Sequence, residues 1–158
     1  MSNHWLTEPF GIGQGFQWRA RGNNPAAGSS LSTNLDPRWR HLYTLILFTL
    51  TTDANAANRY VTVEAEDIDG NPFWVNGASV TVSANSTQRF VGQLNRGTAE
   101  WNTNTDVFFP LAPVLLDGAT NFKINVANIQ VGDTITLIKL VSQRFPTADT
   151  SLPPTAEA

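Results

Sequence analysis

The sequence predicts an all-β protein, a single sandwich of about eight antiparallel strands. The segment 59–66 alternates, with Val61, Val63 and Ala65 on one side and polar residues or Tyr60 on the other. That period of two is typical of a strand with one buried face. The run 45–48 is apolar at every position, which indicates a strand covered on both faces.

Turn signals divide the rest of the chain into short segments. Asp-Gly at 69–70 and Asn-Gly at 76–77 predict hairpin turns, because these pairs tolerate positive φ. The strand candidates are 41–51, 59–66, 72–76, 78–84, 87–92, 106–116, 120–127 and 133–143. Eight strands at this spacing favour a jelly roll, with an immunoglobulin-like sandwich as the alternative.

The ends of the chain differ from its middle in composition. Residues 1–37 are rich in Gly and Pro without periodicity, which predicts an extended N-terminal arm. Residues 38–144 form the predicted sandwich domain, and the Pro-rich residues 145–158 form a predicted extended C-terminal tail.

The N-terminal arm carries aromatic residues, which are rare in disordered linkers. We expect these side chains to anchor the arm on another subunit, with folding back onto its own domain as the alternative. The predicted interface anchors are Trp5, Phe10, Phe16, Trp18 and Trp39.

Composition disfavours several classes of function. The formal net charge is −3 with 10 Lys and Arg, so a nucleic-acid partner is not expected. No apolar run approaches the length of a membrane helix, and the N-terminus lacks the pattern of a secretory signal. Charged residues make up 15% of the chain, a low fraction that suits a surface buried in an assembly.

Candidate catalytic and metal-binding patterns are weak. The chain has no cysteine and two histidines, His4 and His41, so neither a zinc site nor a catalytic triad is predicted. Glycines at 11–15 lack the rest of a phosphate loop. Residues 67–71 begin like a calcium loop without its distal Glu. Glu64 and Glu66 could pair as glycosidase carboxylates, but a solvated face is the favoured interpretation, and we predict no enzyme activity and no cofactor.

Tryptophan supplies the best small-ligand hypothesis. Trp74 and Trp101 lie in the predicted sandwich and could stack on sugars in a lectin-like module. Packing of these large side chains in a core or an interface is the favoured alternative.

A local motif resembles small virion proteins of tailed bacteriophages. It runs from 47 to 61 and consists of an apolar strand, a Thr-Asp-Ala turn and an Asn-Arg-Tyr start to the next strand. The Phe109-Pro110-Leu111 step and the turns at 117–118 and 132–133 are also similar. The resemblance covers roughly 40–143 and implies a β-sandwich structural subunit without catalytic residues.

From this resemblance and the composition we expect a capsid decoration, or cement, protein that bridges subunits of the major capsid protein. It would assemble in the host cytoplasm and reside in the virion as a homo-oligomer, with a trimer favoured. A head–tail completion or tail protein is the alternative. Within the motif, Asp53, Asn58 and Arg59 are predicted to build a structural turn, in which the guanidinium clamps turn carbonyls or Asp53.

Overall fold

The computed structural model describes residues 16–21, 23–96 and 101–146, the segment 16–21 and Trp101 by their backbone alone. Ten strands form two sheets, and no helix long and apolar enough to span a membrane occurs in these residues. The strands are β1 (Phe16–Arg21), β2 (Leu31–Asn34), β3 (Trp39–Thr51), β4 (Arg59–Glu66), β5 (Pro72–Val82), β6 (Thr87–Leu94), β7 (Trp101–Asn102), β8 (Asp106–Leu111), β9 (Asn121–Ala127) and β10 (Thr134–Pro146).

The two sheets have six and four strands. The larger has the order β1-β10-β3-β6-β8-β7, and the smaller has the order β2-β9-β4-β5. Strands pair antiparallel as β1 with β10, β2 with β9, β3 with β6, and β4 with β5. The chain is thus one long hairpin ribbon folded over itself, which is a jelly roll, and the predicted fold is confirmed. Strands β7 and β8 extend the larger sheet, with β8 parallel to β6.

The domain boundary predicted at 37/38 is wrong. Strands β1 and β2 both lie before it and belong to the two sheets. Strand β2 has only four residues and buries Leu31 and Thr33, too short a run to stand out among glycines and prolines. Strand β1 is held along its whole length by the backbone of β10, a partner more than a hundred residues away.

The hairpin predicted at Asn76-Gly77 is also wrong, because β5 continues through it. The Asn76 side chain accepts a hydrogen bond from the Ala112 backbone N–H at 2.8 Å. Gly77 pairs with Thr62 where the register between β4 and β5 shifts. This Asn-Gly pair therefore marks a bulge in a long strand, a position where glycine is common.

Large apolar side chains fill the space between the sheets. The rings of Phe48 and Phe90 stack with centroids 5.1 Å apart, and Tyr43 lies between Trp74 and Phe122. Each of these five side chains is at most 4% exposed. The interior is thus a packed core, so surfaces outside it are the candidates for function.

We expect Gly92→Ala to destabilise the protein by about 1–3 kcal/mol, because extra atoms in a filled core force neighbours to move. A Cβ atom at this position would lie 2.8 Å from side-chain carbons of Leu111 and Phe109. The measurement is chemical denaturation. Gly77→Ala is the control, since its nearest side-chain contact would be 3.3 Å; equal losses for both variants would contradict the expected clash.

Candidate functional site

Arg59 is the centre of a buried ion network at one end of the sandwich. All five N–H donors of its guanidinium are used. Nε and Nη2 donate to the two oxygens of Asp133, each at 2.8 Å, and Nη2 also donates to Asp53 at 2.7 Å. Nη1 donates to the carbonyls of Asn55 and Ala57. The side chains of Arg59 and Asp133 are 0% exposed, so the network is closed to solvent at its centre.

The carboxylate of Asp133 extends the network to other backbone segments. It accepts hydrogen bonds from the backbone N–H groups of Asp53 and Gln130, at 2.9 and 2.8 Å. Burial opposes ionisation of this carboxyl, but the bonds from Arg59 and the backbone outweigh burial and lower its pKa. A charged Asp133 is therefore stable inside the protein.

Four connections meet at this end, and we call them together the four-loop end: residues 23–30, 52–58, 83–86 and 128–133. The Gly28 N–H donates to the Asp133 carbonyl at 2.8 Å, in a backbone with φ of +75° that favours glycine. Thr52 Oγ1 donates to the Ser83 carbonyl at 2.6 Å and accepts from the Ser86 N–H at 2.9 Å. All four loops are thus joined by hydrogen bonds to Asp133, Asp53 or Thr52.

The residues predicted for the structural turn lie here. Asp53 and Arg59 are in direct contact, and the Asn58 carbonyl accepts from the Asn128 side chain at 3.0 Å. Sequence reasoning missed Asp133, which contacts Arg59 across 74 positions. The Gly132-Asp133 turn was visible in the sequence, but nothing there indicated its partner.

The two outer sheet faces differ sharply. On the four-stranded sheet, Glu66 accepts hydrogen bonds from Lys123 at 2.6 Å and Asn121 at 3.0 Å, and Glu64 accepts one from Asn125. The hydrogen bond from Lys123 is the main reason that the pKa of Glu66 lies below its ordinary value. Both carboxylates considered for glycosidase chemistry are therefore members of a polar network that covers this face.

The outer face of the six-stranded sheet carries a row of apolar side chains, flanked by polar ones that include Arg89, Gln93 and Lys139. Leu45 and Leu47 alternate with the core residues Ile46 and Phe48, so they point away from the core. Cross-strand partners continue the row, with Val141 beside Leu45 and Val91 beside Leu47, and Phe108 next to Val91. We call the five outward residues the outer stripe: Leu45, Leu47, Val91, Phe108 and Val141.

Basic residues accompany the outer stripe. The Arg96 guanidinium lies 4.8 Å from the centroid of the Phe108 ring, a cation–π distance. The strands of this sheet contain one acidic residue, Asp106, and six basic residues, which are Arg19, Arg21, Arg40, Arg89, Lys139 and Arg144. The six-stranded sheet therefore combines an apolar row on its outer face with an excess of basic over acidic residues.

The predicted interface anchors fall into three groups. Trp5 and Phe10 lie outside the described residues. Phe16 and Trp18 lie in β1, which the structure describes by its backbone alone. Trp39 is partly buried, with the Arg144 guanidinium 5.0 Å from its ring centroid. Trp39 thus packs within its own chain.

Trp74 does not form the sugar-stacking platform considered above, because it is 4% exposed and packs in the core. The side chain of Trp101 lies outside the described part of the chain.

His41 is buried and neutral. Its ring stacks on Tyr43 with centroids 5.8 Å apart, and Nδ1 lies 3.0 Å from Ser142 Oγ. Desolvation, assisted by the nearby Arg144, lowers the pKa of His41 to about 3.

The segment 67–71, which begins like a calcium loop, is a turn closed by Asp67. The Asp67 side chain accepts hydrogen bonds from the backbone N–H groups of Asp69 and Asn71. No three acidic or histidine side chains in the described residues form a metal-binding group.

No protein-family model and no curated protein matches the chain. Among solved structures, it is similar to a mutant VP2 protein of infectious bursal disease virus in derived T=1 particles, with a TM-score of 0.46 and 12% identity over 89% of this chain. The Gx strain of the same virus gives a TM-score of 0.45 and 13% identity over 89% of this chain. The chain spans about a third of the length of these proteins, 32% in both cases.

Proposed function

We propose that the protein is a structural subunit of a virus particle, a decoration protein that binds the outside of a tailed-phage capsid. The observation that carries this proposal is the outer stripe on the six-stranded sheet. Four of its side chains are partly buried and Val91 is 6% exposed. A partner that covers the row would remove the remaining apolar surface from water, which favours association. The proposed role is thus structural and non-catalytic, and the protein would be located in the virion.

The partner of this face is an acidic surface with an apolar centre. Lys139 is exposed within the same sheet, and Arg96 lies over Phe108 at one edge of the stripe. Positive charge around an apolar centre steers and orients a negatively charged partner, while the apolar contact slows dissociation. The partner proposed here is the major capsid protein, whose neighbouring subunits the decoration protein would bridge.

A homo-oligomer fits this role, because repeated copies add their contacts to a repeated surface. A trimer is favoured, since an icosahedral shell offers three-fold junctions. A head–tail completion protein would use the same chemistry at a different place. Copy number per particle separates the two, on the order of hundreds for decoration against about a dozen or fewer at the connector.

We expect Leu47→Glu to abolish binding to purified capsids. The new carboxylate would face an acidic partner, and it would pair with Lys139, its cross-strand neighbour, so that this positive charge is no longer available to the partner. Co-sedimentation with capsids that lack the protein is the measurement, with the bound copies counted by quantitative mass spectrometry. Thr62→Glu, on the polar face of the other sheet, is the matched control and should bind like the unaltered protein.

Thermal unfolding of the Leu47 and Thr62 variants establishes that both are folded. If folded Leu47→Glu protein binds capsids as well as the control does, the outer stripe is not the capsid-binding surface. If the unaltered protein does not bind capsids at all, the decoration role itself is wrong.

A further inference from the structure

The exposed residues of the four-loop end carry no charge. Its charged residues are Asp133, which is 0% exposed, and Asp53, whose side chain is 18% exposed; both accept hydrogen bonds from Arg59. The exposed positions hold Ala, Asn, Ser, Gly and Val alone: Asn23, Asn24, Ala26, Ala27, Ser29, Ala54, Asn55, Ala56, Asn58, Ser83, Asn85, Asn128, Val131 and Gly132. A surface of this composition has the depletion of charge that marks the centre of protein–protein interfaces.

The opposite end of the sandwich provides the contrast. Asp69 and Asp117 are exposed there, and Ile68 in the turn between β4 and β5 is 82% exposed. The chain as a whole has a net charge of −3. The absence of charged residues from the exposed positions is therefore a local property of the four-loop end and does not follow from the overall composition.

The absence of exposed charged side chains suits contact between identical surfaces close to a rotation axis. When copies meet around a rotation axis, the same patch from each copy converges on that axis. Any exposed charge near the axis would face its own copy, and such like-charge contacts cost several kcal/mol. A patch without exposed charged side chains avoids this cost.

The four-loop end is also rigid and closely approachable. The Arg59 network fixes the loops before any partner arrives, so little conformational entropy remains to be lost on association. Most of its exposed side chains are small, which lets two backbones come close. Val131 is 83% exposed, and its loop is held on both sides by Asp133 and by the bond from Gly132 to Asp53.

We propose that the four-loop end is the surface through which copies of this chain bind one another, with Val131 as an apolar contact near the axis. The partner is therefore a second copy of the chain, presenting the same end. This inference deepens the proposed structural role by assigning self-association to one end and capsid binding to the outer stripe.

The test is sedimentation velocity of the full chain over a wide range of concentration. The unaltered protein should form a defined oligomer, and Val131→Glu should weaken its association at least about tenfold, by ~1.4 kcal/mol. Ile68→Glu is the matched control, because it places the same charge on an equally exposed apolar residue at the opposite end. It should associate like the unaltered protein.

Three results would overturn the inference: a monomer at all concentrations, an unaltered oligomer for Val131→Glu, or equal dissociation of both variants. Far-UV circular dichroism and thermal unfolding of each variant establish that it is folded. Capsid binding distinguishes this inference from the proposed function. Leu47→Glu should still self-associate while failing to bind capsids, and monomeric Val131→Glu should still bind them, with lower avidity.

Discussion

Replacing Arg59 by alanine should lower the free energy of unfolding by about 3–5 kcal/mol, the range for removing one partner of a buried ion pair. The variant leaves the Asp133 carboxylate, which is 0% exposed, without its charged partner. It also removes the bonds that hold the carbonyls of Asn55 and Ala57. Equilibrium denaturation in urea measures the loss.

Arg89→Ala is the control for this prediction, because its pair with Asp106 is exposed, with an N–O distance of 2.8 Å and the Arg89 side chain 52% exposed. Exposed pairs contribute about 1 kcal/mol or less. Arg59→Lys should fall between the two, since an ammonium cannot match the fork of donors that Arg59 uses. Equal losses for Arg59→Ala and Arg89→Ala would contradict the central role of the network.

The double variant Arg59→Ala/Asp133→Ala should lose less stability than the two single variants do in sum. Removing both partners avoids leaving one charge buried alone. Strict additivity would mean that the two side chains do not act as a unit.

Lowering the pH from about 6.5 towards 4.5 should reduce the free energy of unfolding by about 1.4 kcal/mol per pH unit, because of His41 alone. In the folded protein the pKa of His41 is about 3, against an ordinary value of 6.5. Between these values the unfolded chain binds a proton that the folded protein does not. The folded protein therefore loses no stability through His41 above about pH 6.5, and it loses stability progressively as the pH falls below that value.

Urea denaturation at a series of pH values tests this dependence. His41→Asn keeps a polar group near Ser142 and should flatten the profile in this window, even if it lowers stability at every pH. Asp36 and Arg144 both influence the pKa of His41 through their charges, and both remain charged between pH 4.5 and 6.5. Carboxyl groups with lowered pKa, such as Asp133 and Glu66, add their own losses only nearer to their ordinary values of 3.8 and 4.5. A profile for His41→Asn as steep as that of the unaltered protein would contradict the assignment.

Local pattern predicted the centre of the fold well. Strand β4 has the predicted bounds, and β3 begins two residues earlier than predicted. Both strands are long and bury every second side chain along much of their length. The alternation of apolar and polar residues is therefore visible in the sequence without knowledge of the strands they pair with. Strands β1 and β2 escaped prediction because their stability comes from β10 and β9, which no local pattern reveals.

The candidate surfaces were only partly visible in the sequence. The unbroken run 45–48 predicted a strand covered on both faces, and its outward members Leu45 and Leu47 belong to the outer stripe. Val91 and Phe108 join them only through strand pairing. The motif around Asp53 and Arg59 suggested a clamped turn, yet the extension to four loops depends on Asp133 and Thr52, whose contacts are set by topology.

The pairing of β1 with β10 has a mechanical consequence. Phe16 lies opposite Arg144, so the first residues of β1 and the last residues of β10 lie side by side, at the end of the sandwich away from the four-loop end. A pulling force applied at residues 16 and 146 would load the hydrogen bonds between these strands one after another, so the strands would separate sequentially from that end. Resistance to such peeling is weak, whereas a load between the outer stripe and the four-loop end passes through the whole packed core. A subunit fixed to a shell by its sheet would withstand pressure far better than tension applied at residues 16 and 146.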